Sequence, residues 1–124
     1  MLLLSLNYGL ASDVSFNRIK IPNPNGKRTK AILTFSDTDQ AIEVNPVKKG
    51  SPIKVPYTEI SKCSYEFTMQ PTRNHWLEIH YTHDQIPKTV VLHMDRRNYL
   101  RILDAIKTHT GKDAEVLGNA GKRR

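Results

Sequence analysis

Five histidines, two closely spaced aspartates, a single cysteine and several basic clusters are the side chains in this 124-residue sequence whose types could do chemistry. His75, His80, His83, His93 and His109 could offer metal ligands or a general base, and Asp37 and Asp39 could add carboxylates. Such a site requires at least three of these groups to converge. His80 falls in a strand pattern and His83 in the turn after it, with no third ligand at an interpretable spacing. His75 precedes that strand and His93 alternates onto an outward face, so the histidines read as ordinary surface residues. Asp37 and Asp39 read as turn residues that bond the hairpin backbone.

Cys63 stands alone, which excludes an intramolecular disulfide, a Cys-x-x-Cys redox pair and a zinc cage within one chain. Its alternation with Tyr65 and Phe67 predicts a buried, inert thiol on a strand. There is no Gly-x-Ser-x-Gly, His-Glu-x-x-His or phosphate-cradling glycine loop, so no motif unites a nucleophile, a base and a group to hold developing charge. The reading is non-enzymatic, with no cofactor and no metal. A metal-dependent hydrolase is a minor alternative that would need His75, His80, His83, His93, Asp37 and Asp39 to meet in threes.

Charge offers more. Nineteen Lys and Arg against twelve Asp and Glu give a net charge of +7 and a pI near 9.7, a balance that favours anions. Lys27, Arg28 and Lys30 follow Gly26, which would let a phosphate approach the backbone, and are candidate ligand-binding residues. Lys48-Lys49, Arg96-Arg97 and Lys122-Arg123-Arg124 carry further charge, though scattered charge most often means a solvated surface. An anionic-surface binder requires Lys27, Arg28, Lys30 and either Lys48 or Lys54 to gather on one face, and its binding must collapse as salt rises. Trp76, Arg96 and Arg101 form a second candidate set: Trp76 exposed beside either arginine would mark a binding surface, and Trp76 buried would mark architecture. Tyr57, Tyr65 and Trp76 could stack on bases, but no recognition-helix or RNA-binding signature accompanies them, so no specific nucleic acid is expected.

The elements that must position these groups follow from periodicity. Met94–Gly111 predicts the only long helix: Tyr99, Ile102, Leu103 and Ile106 fall on one apolar stripe, with Arg96, Arg97, Arg101 and Lys107 off it. Asp95 is the expected N-cap and Gly111 the expected left-handed close. Burying the stripe would contribute on the order of 6–10 kcal/mol before entropy is subtracted. Ahead of it, two-residue alternation predicts strands through Ala31-Leu33-Phe35, Ile42-Val44, Ile53-Val55-Tyr57, Cys63-Tyr65-Phe67-Met69, Leu77-Ile79-Tyr81 and Val90-Leu92-Met94. Ser15–Ile21 is at most a short edge strand, because Phe16 is out of step with Ile19 and Ile21. Six or seven short strands joined by hairpin-length turns imply a curved antiparallel sheet or barrel, mainly β, capped by the C-terminal helix.

The organisation is a possible secretory leader at 1–11, an extended segment at 12–28, one domain at 29–118 and a basic tail at 119–124. The opening run Met1–Ala11 is too short to span a bilayer, and its Gly9 and Ala11 have the spacing of a signal-peptidase site, although it lacks a basic start. Cleavage would make the protein exported; otherwise it is cytoplasmic, and no transmembrane segment is expected.

Four phrases carry a resemblance: LTFSD at 33–37, IKVPYTEISKCSYE at 53–66, HWLEIHY at 75–81 and NYLRILDAIKTHTGK at 98–112. With the strand order closing on a helix, they resemble a bacterial family of small, uncharacterised pleckstrin-homology-like (PH-like) domains. The resemblance implies a PH-like fold over most of Thr29–Gly118, a secretory leader as often found in the family, and ligands that are generally unknown. The loop from Met69 to Asn74 is shorter than the resemblance implies. The functional expectation is a non-catalytic binding module for a protein or peptide, using an open strand edge or the groove beside the helix. The alternative is an electrostatic binder of acidic lipid headgroups or nucleic acid. The sequence sets no oligomeric state.

Overall fold

The structure is a computed structural model, and it describes residues 13–23, 25–48, 50–69 and 73–117. The stretches read as a leader and a basic tail lie outside the described residues, as does most of the loop around Pro71. Among the described residues there are eight strands, where six or seven were expected: β1 (Val14–Pro22), β2 (Arg28–Ser36), β3 (Ala41–Pro46), β4 (Ile53–Pro56), β5 (Ile60–Thr68), β6 (Asn74–His83), β7 (Ile86–Met94) and β8 (Ala114–Leu117). A single 3-10 turn, Tyr57–Glu59, joins β4 to β5, and helix α1 (Tyr99–Thr110) lies between β7 and β8. The strands form one sheet in the order β4-β3-β2-β1-β7-β6-β5-β8.

Two meanders, β1–β4 and β5–β7, are joined where β1 meets β7 through Ile19↔Met94 and Lys20↔His93. β1 is therefore an interior strand, not the edge strand its broken alternation suggested. The cause is a bulge. Phe16 pairs with Leu33, the register then shifts before Ile19, and Arg18 takes a φ of 62°. The shift rephases the strand so that Phe16 and Ile19 both face the core. Left-handed backbone at a non-glycine residue costs roughly 1–2 kcal/mol. Asn98 Nδ2 donates to the Asn17 carbonyl at 2.8 Å, tying the bulge to the start of the helix.

The inward residues of both meanders, among them Ile19, Leu33, Phe35, Leu77, Leu92 and Met94, make one core. Helix α1 covers it with Ile102, Ala105 and Ile106 buried, while Tyr99 and Leu103 are half-buried against it. Asp95 is not the N-cap. Its Oδ1 accepts from Arg97 N at 2.7 Å and its carbonyl accepts from Asn98 N and Tyr99 N, so the chain turns once before the helix begins. Asn98 stands at the cap position without a side-chain capping bond. The other end closes as expected, with Gly111 at φ 79° donating its N–H to the Lys107 carbonyl at 2.9 Å.

After Gly111 the chain adds β8, which runs parallel to β5 from Cys63↔Ala114 to Glu66↔Leu117. It covers the edge of β5 and itself ends the sheet. Among the described residues, no helix is long and apolar enough to cross a membrane.

Candidate functional site

The outer face of the sheet assembles its polar residues by register. Lys30 of β2 pairs with Lys20 of β1, Lys20 with His93 of β7, and His93 with Trp76 of β6, so these four form one row across four strands. Arg28, at the start of β2, places its guanidinium 5.3 Å from the Trp76 ring centroid and its Nη1 3.4 Å from His93 Nε2. The Trp76 ring meets His93 edge-on at 4.9 Å, and its Nε1 donates to Thr68 Oγ1 at 3.0 Å. His93 Nε2 also lies 2.9 Å from Asn74 Oδ1. Burial, then the positive charges of Arg28 and Lys20, hold the His93 imidazole below its ordinary range, with Asp95 opposing them.

Two of the concavities that the described residues form open on this face. The first, of about 780 Å³, is lined by Lys27, Arg28, Thr29, Lys30, Val47 and Lys48, which come from the β1–β2 hairpin and the connection after β3. The second, of about 470 Å³, shares Lys30 and Val47 and adds Arg18, Lys20, Ile32 and His93, with Asp95 also on its wall. Among the described residues, none of the basic groups lining either concavity has a carboxylate at salt-bridge distance. Elsewhere, Lys54 is paired with Asp39 and Glu43, Lys62 with Glu115, and Lys107 with Asp113.

Lys27, Arg28 and Lys30 thus converge as the sequence suggested, and Lys48 joins them where Lys54 does not. Trp76 meets neither expectation set for it. It is half-buried, and its cationic neighbour is Arg28. Arg101 lies over the Phe16 ring at 5.8 Å, and Arg96 is exposed in the turn before α1; neither lines either concavity. Lys20, Arg18 and His93 were missed as members of this face. The signal in β1 was the flanking of inward Ile19 by Arg18 and Lys20, but the neighbouring strands that complete the row are far away in sequence.

The remaining chemistry is dispersed. His80 lies beside Glu78 and Thr89, and His83 beside Glu59 and Asp84. His75 and His109 are not the surface residues expected. His75 is buried between aromatic rings, and its imidazole is held low by that burial. The His109 side chain is 10% exposed and donates from Nδ1 to Asp37 Oδ1 at 2.8 Å. Asp37 also accepts from the Tyr57 hydroxyl at 3.1 Å, so its work is to tie the helix end and the 3-10 turn to the β2–β3 hairpin. Among the described residues, no three His, Cys, Asp or Glu side chains are placed to hold a metal ion. Burial pushes the Cys63 thiol up to about 11, which keeps it protonated and unreactive near neutrality.

No protein-family model matches the chain, and no curated protein does. Among solved structures, a chain of the Spt16D Pob3N heterodimer superposes with a TM-score of 0.63 at 15% identity, over 86% of this chain and 54% of that one. This chain therefore spans about half the length of that structure's chain. At such identity the likeness speaks to architecture alone. Together with the curved sheet capped by a helix, it gives this chain a PH-like fold.

Proposed function

We propose that the protein is a non-catalytic PH-like binding module whose partner is anionic where it docks. The observation that supports this is the convergence of Lys27, Arg28, Lys30 and Lys48 around one concavity, with no carboxylate among the described residues at salt-bridge distance from them. An acidic segment of a protein or peptide is the leading partner, and an anionic surface is the alternative. β8 covers the β5 edge, so strand addition by a peptide would use the outer side of β4 or of β8, the two strands that end the sheet among the described residues. Kinship with the bacterial PH-like family, and export after removal of residues 1–11, belong to the same proposal, and N-terminal sequencing of the protein expressed with its native upstream region tests the latter.

A polyglutamate peptide and phosphatidylserine vesicles are the probes. Binding to one of them is expected to weaken steeply with salt. The triple variant Lys27→Gln/Arg28→Gln/Lys48→Gln is expected to weaken it roughly a hundredfold, at about 1 kcal/mol per cation. Binding indifferent to both salt and the triple variant would sink the proposal.

A further inference from the structure

The second concavity has properties the first lacks. Lys20 stands directly opposite Lys30 in the β1–β2 register, a like-charge pair that a sheet ordinarily avoids. Arg18 is brought to the same face by a left-handed bulge, and bulges of this kind re-aim side chains next to binding sites. Asp95 is the one acid on the wall, and its Oδ1 already accepts from Arg97 N. Arg18, Lys20 and Lys30 against Asp95 leave two positive charges over. Beside them Ile32 and Val47 are 39% and 56% exposed, an apolar surface within the same cup.

We infer that this cup is a site for a phosphate monoester dianion, with the phosphate between Arg18, Lys20 and Lys30 and the organic part against Ile32 and Val47. Two excess charges match a dianion, and the guanidinium fork with two ammonium groups suits a tetrahedral oxyanion. A phosphate placed there would relieve the Lys20–Lys30 repulsion. The site rests on the same basic face as the proposed function but on Arg18 and Lys20, which that function does not require. Both a soluble monoester and a phosphatidic acid headgroup present this chemistry.

Calorimetric titration of the full chain with phenyl phosphate and with inorganic phosphate is the test, alongside phosphatidylcholine vesicles with and without phosphatidic acid. Phenyl phosphate is expected to saturate and to bind more tightly than inorganic phosphate. Arg18→Gly keeps the left-handed backbone, and Lys20→Gln removes the opposed charge, so both variants should fold at least as stably as the parent. Each should nevertheless weaken phenyl phosphate roughly three- to tenfold. Vesicle binding that needs phosphatidic acid and falls in the same variants identifies the lipid source; phenyl phosphate binding without vesicle binding identifies a soluble one. Absence of saturation, or equal affinity in the parent and the Arg18→Gly/Lys20→Gln double variant, overturns the inference. Lys27→Gln/Lys48→Gln should weaken phenyl phosphate less than Lys20→Gln does. If that variant alone abolishes it, the anion sits in the first concavity, and the proposed function stands while this site falls.

Discussion

The two ends of α1 are each fastened by a histidine and a tyrosine, yet the fastenings work by opposite means. At the start, Tyr99 stacks on His75 with ring centroids 3.8 Å apart and on Tyr65 at 5.6 Å, and Tyr65 Oη shares a 2.7 Å hydrogen bond with His75 Nδ1. Phe67 closes that stack at 5.1 Å from His75, and among the described residues no carboxylate is placed to bond the imidazole. At the finish, His109 lies on the Phe35 ring at 5.4 Å, but its Nδ1 and the Tyr57 hydroxyl both donate to Asp37 Oδ1. The first clamp depends on an imidazole staying neutral. The second depends on a carboxylate staying charged and a phenol staying protonated. A histidine beside a tyrosine is here a mechanical device at both ends, and the company of rings or of a carboxylate decides which conditions loosen it.

The largest way to break the comparison is to remove what the ends share. Ile106→Ala should cost about 2–5 kcal/mol in urea unfolding, because Ile106 is fully buried in the common core. Leu103→Ala should cost less, since Leu103 is only half-buried.

Asp37→Ala is the next largest. It deprives two donors of their acceptor and should cost about 1–3 kcal/mol. It should also move Tyr57 back toward the ordinary tyrosine value of 10.0, read by ultraviolet titration of the phenolate. Burial first, then the Asp37 hydrogen bond and the charges of Asp37 and Asp13, now hold that phenol up. With a folded value above the unfolded one, the contribution of Tyr57 is fully present below about pH 10 and is lost as pH rises through the folded value. A Tyr57 that titrates unchanged in Asp37→Ala would contradict the reading.

Acid tests the other end. The folded values of His75 and His93 lie below the ordinary 6.5, so their contributions are present above about pH 6.5 and are lost as pH falls through the folded values. His75→Phe keeps a ring in the stack and gives up the bond to Tyr65, at about 1 kcal/mol. The difference in urea midpoint between about pH 7.5 and about pH 5 should shrink. The smallest effect is expected away from both clamps, where Arg28→Gln should lower stability by about 0.5–1 kcal/mol through loss of the contact over Trp76.

Most of the architecture was legible because alternation survives wherever a strand is regular, as in Cys63, Tyr65 and Phe67 or Leu77, Ile79 and Tyr81. It failed at β1, where the bulge inserts a phase shift that a period-two reading counts as disorder in the pattern. It failed again at β8, four residues in which no two-residue pattern stands out and whose partner lies far upstream. Asp95 resembled a cap because acids before an apolar stripe usually are, and the extra turn to Asn98 leaves no mark in composition. Of the candidate site, Lys27, Arg28 and Lys30 were visible as neighbours in sequence. Lys20, Lys30 and His93 become neighbours only through strand pairing, so their opposition could not be read before the register was known.

The parallel strand β8 also bears on the solubility of the protein. Its pairing with β5 from Cys63 to Glu66 hides the N–H and C=O groups that a strand like Ile60–Thr68 would otherwise display. Shortening the chain at Lys112 would remove that cover while leaving the helix and its buried face intact. Such a fragment would be folded and yet adhesive, joining other copies through its bared flank as its concentration rises. The short strand β8 thus serves as a guard rail against self-assembly.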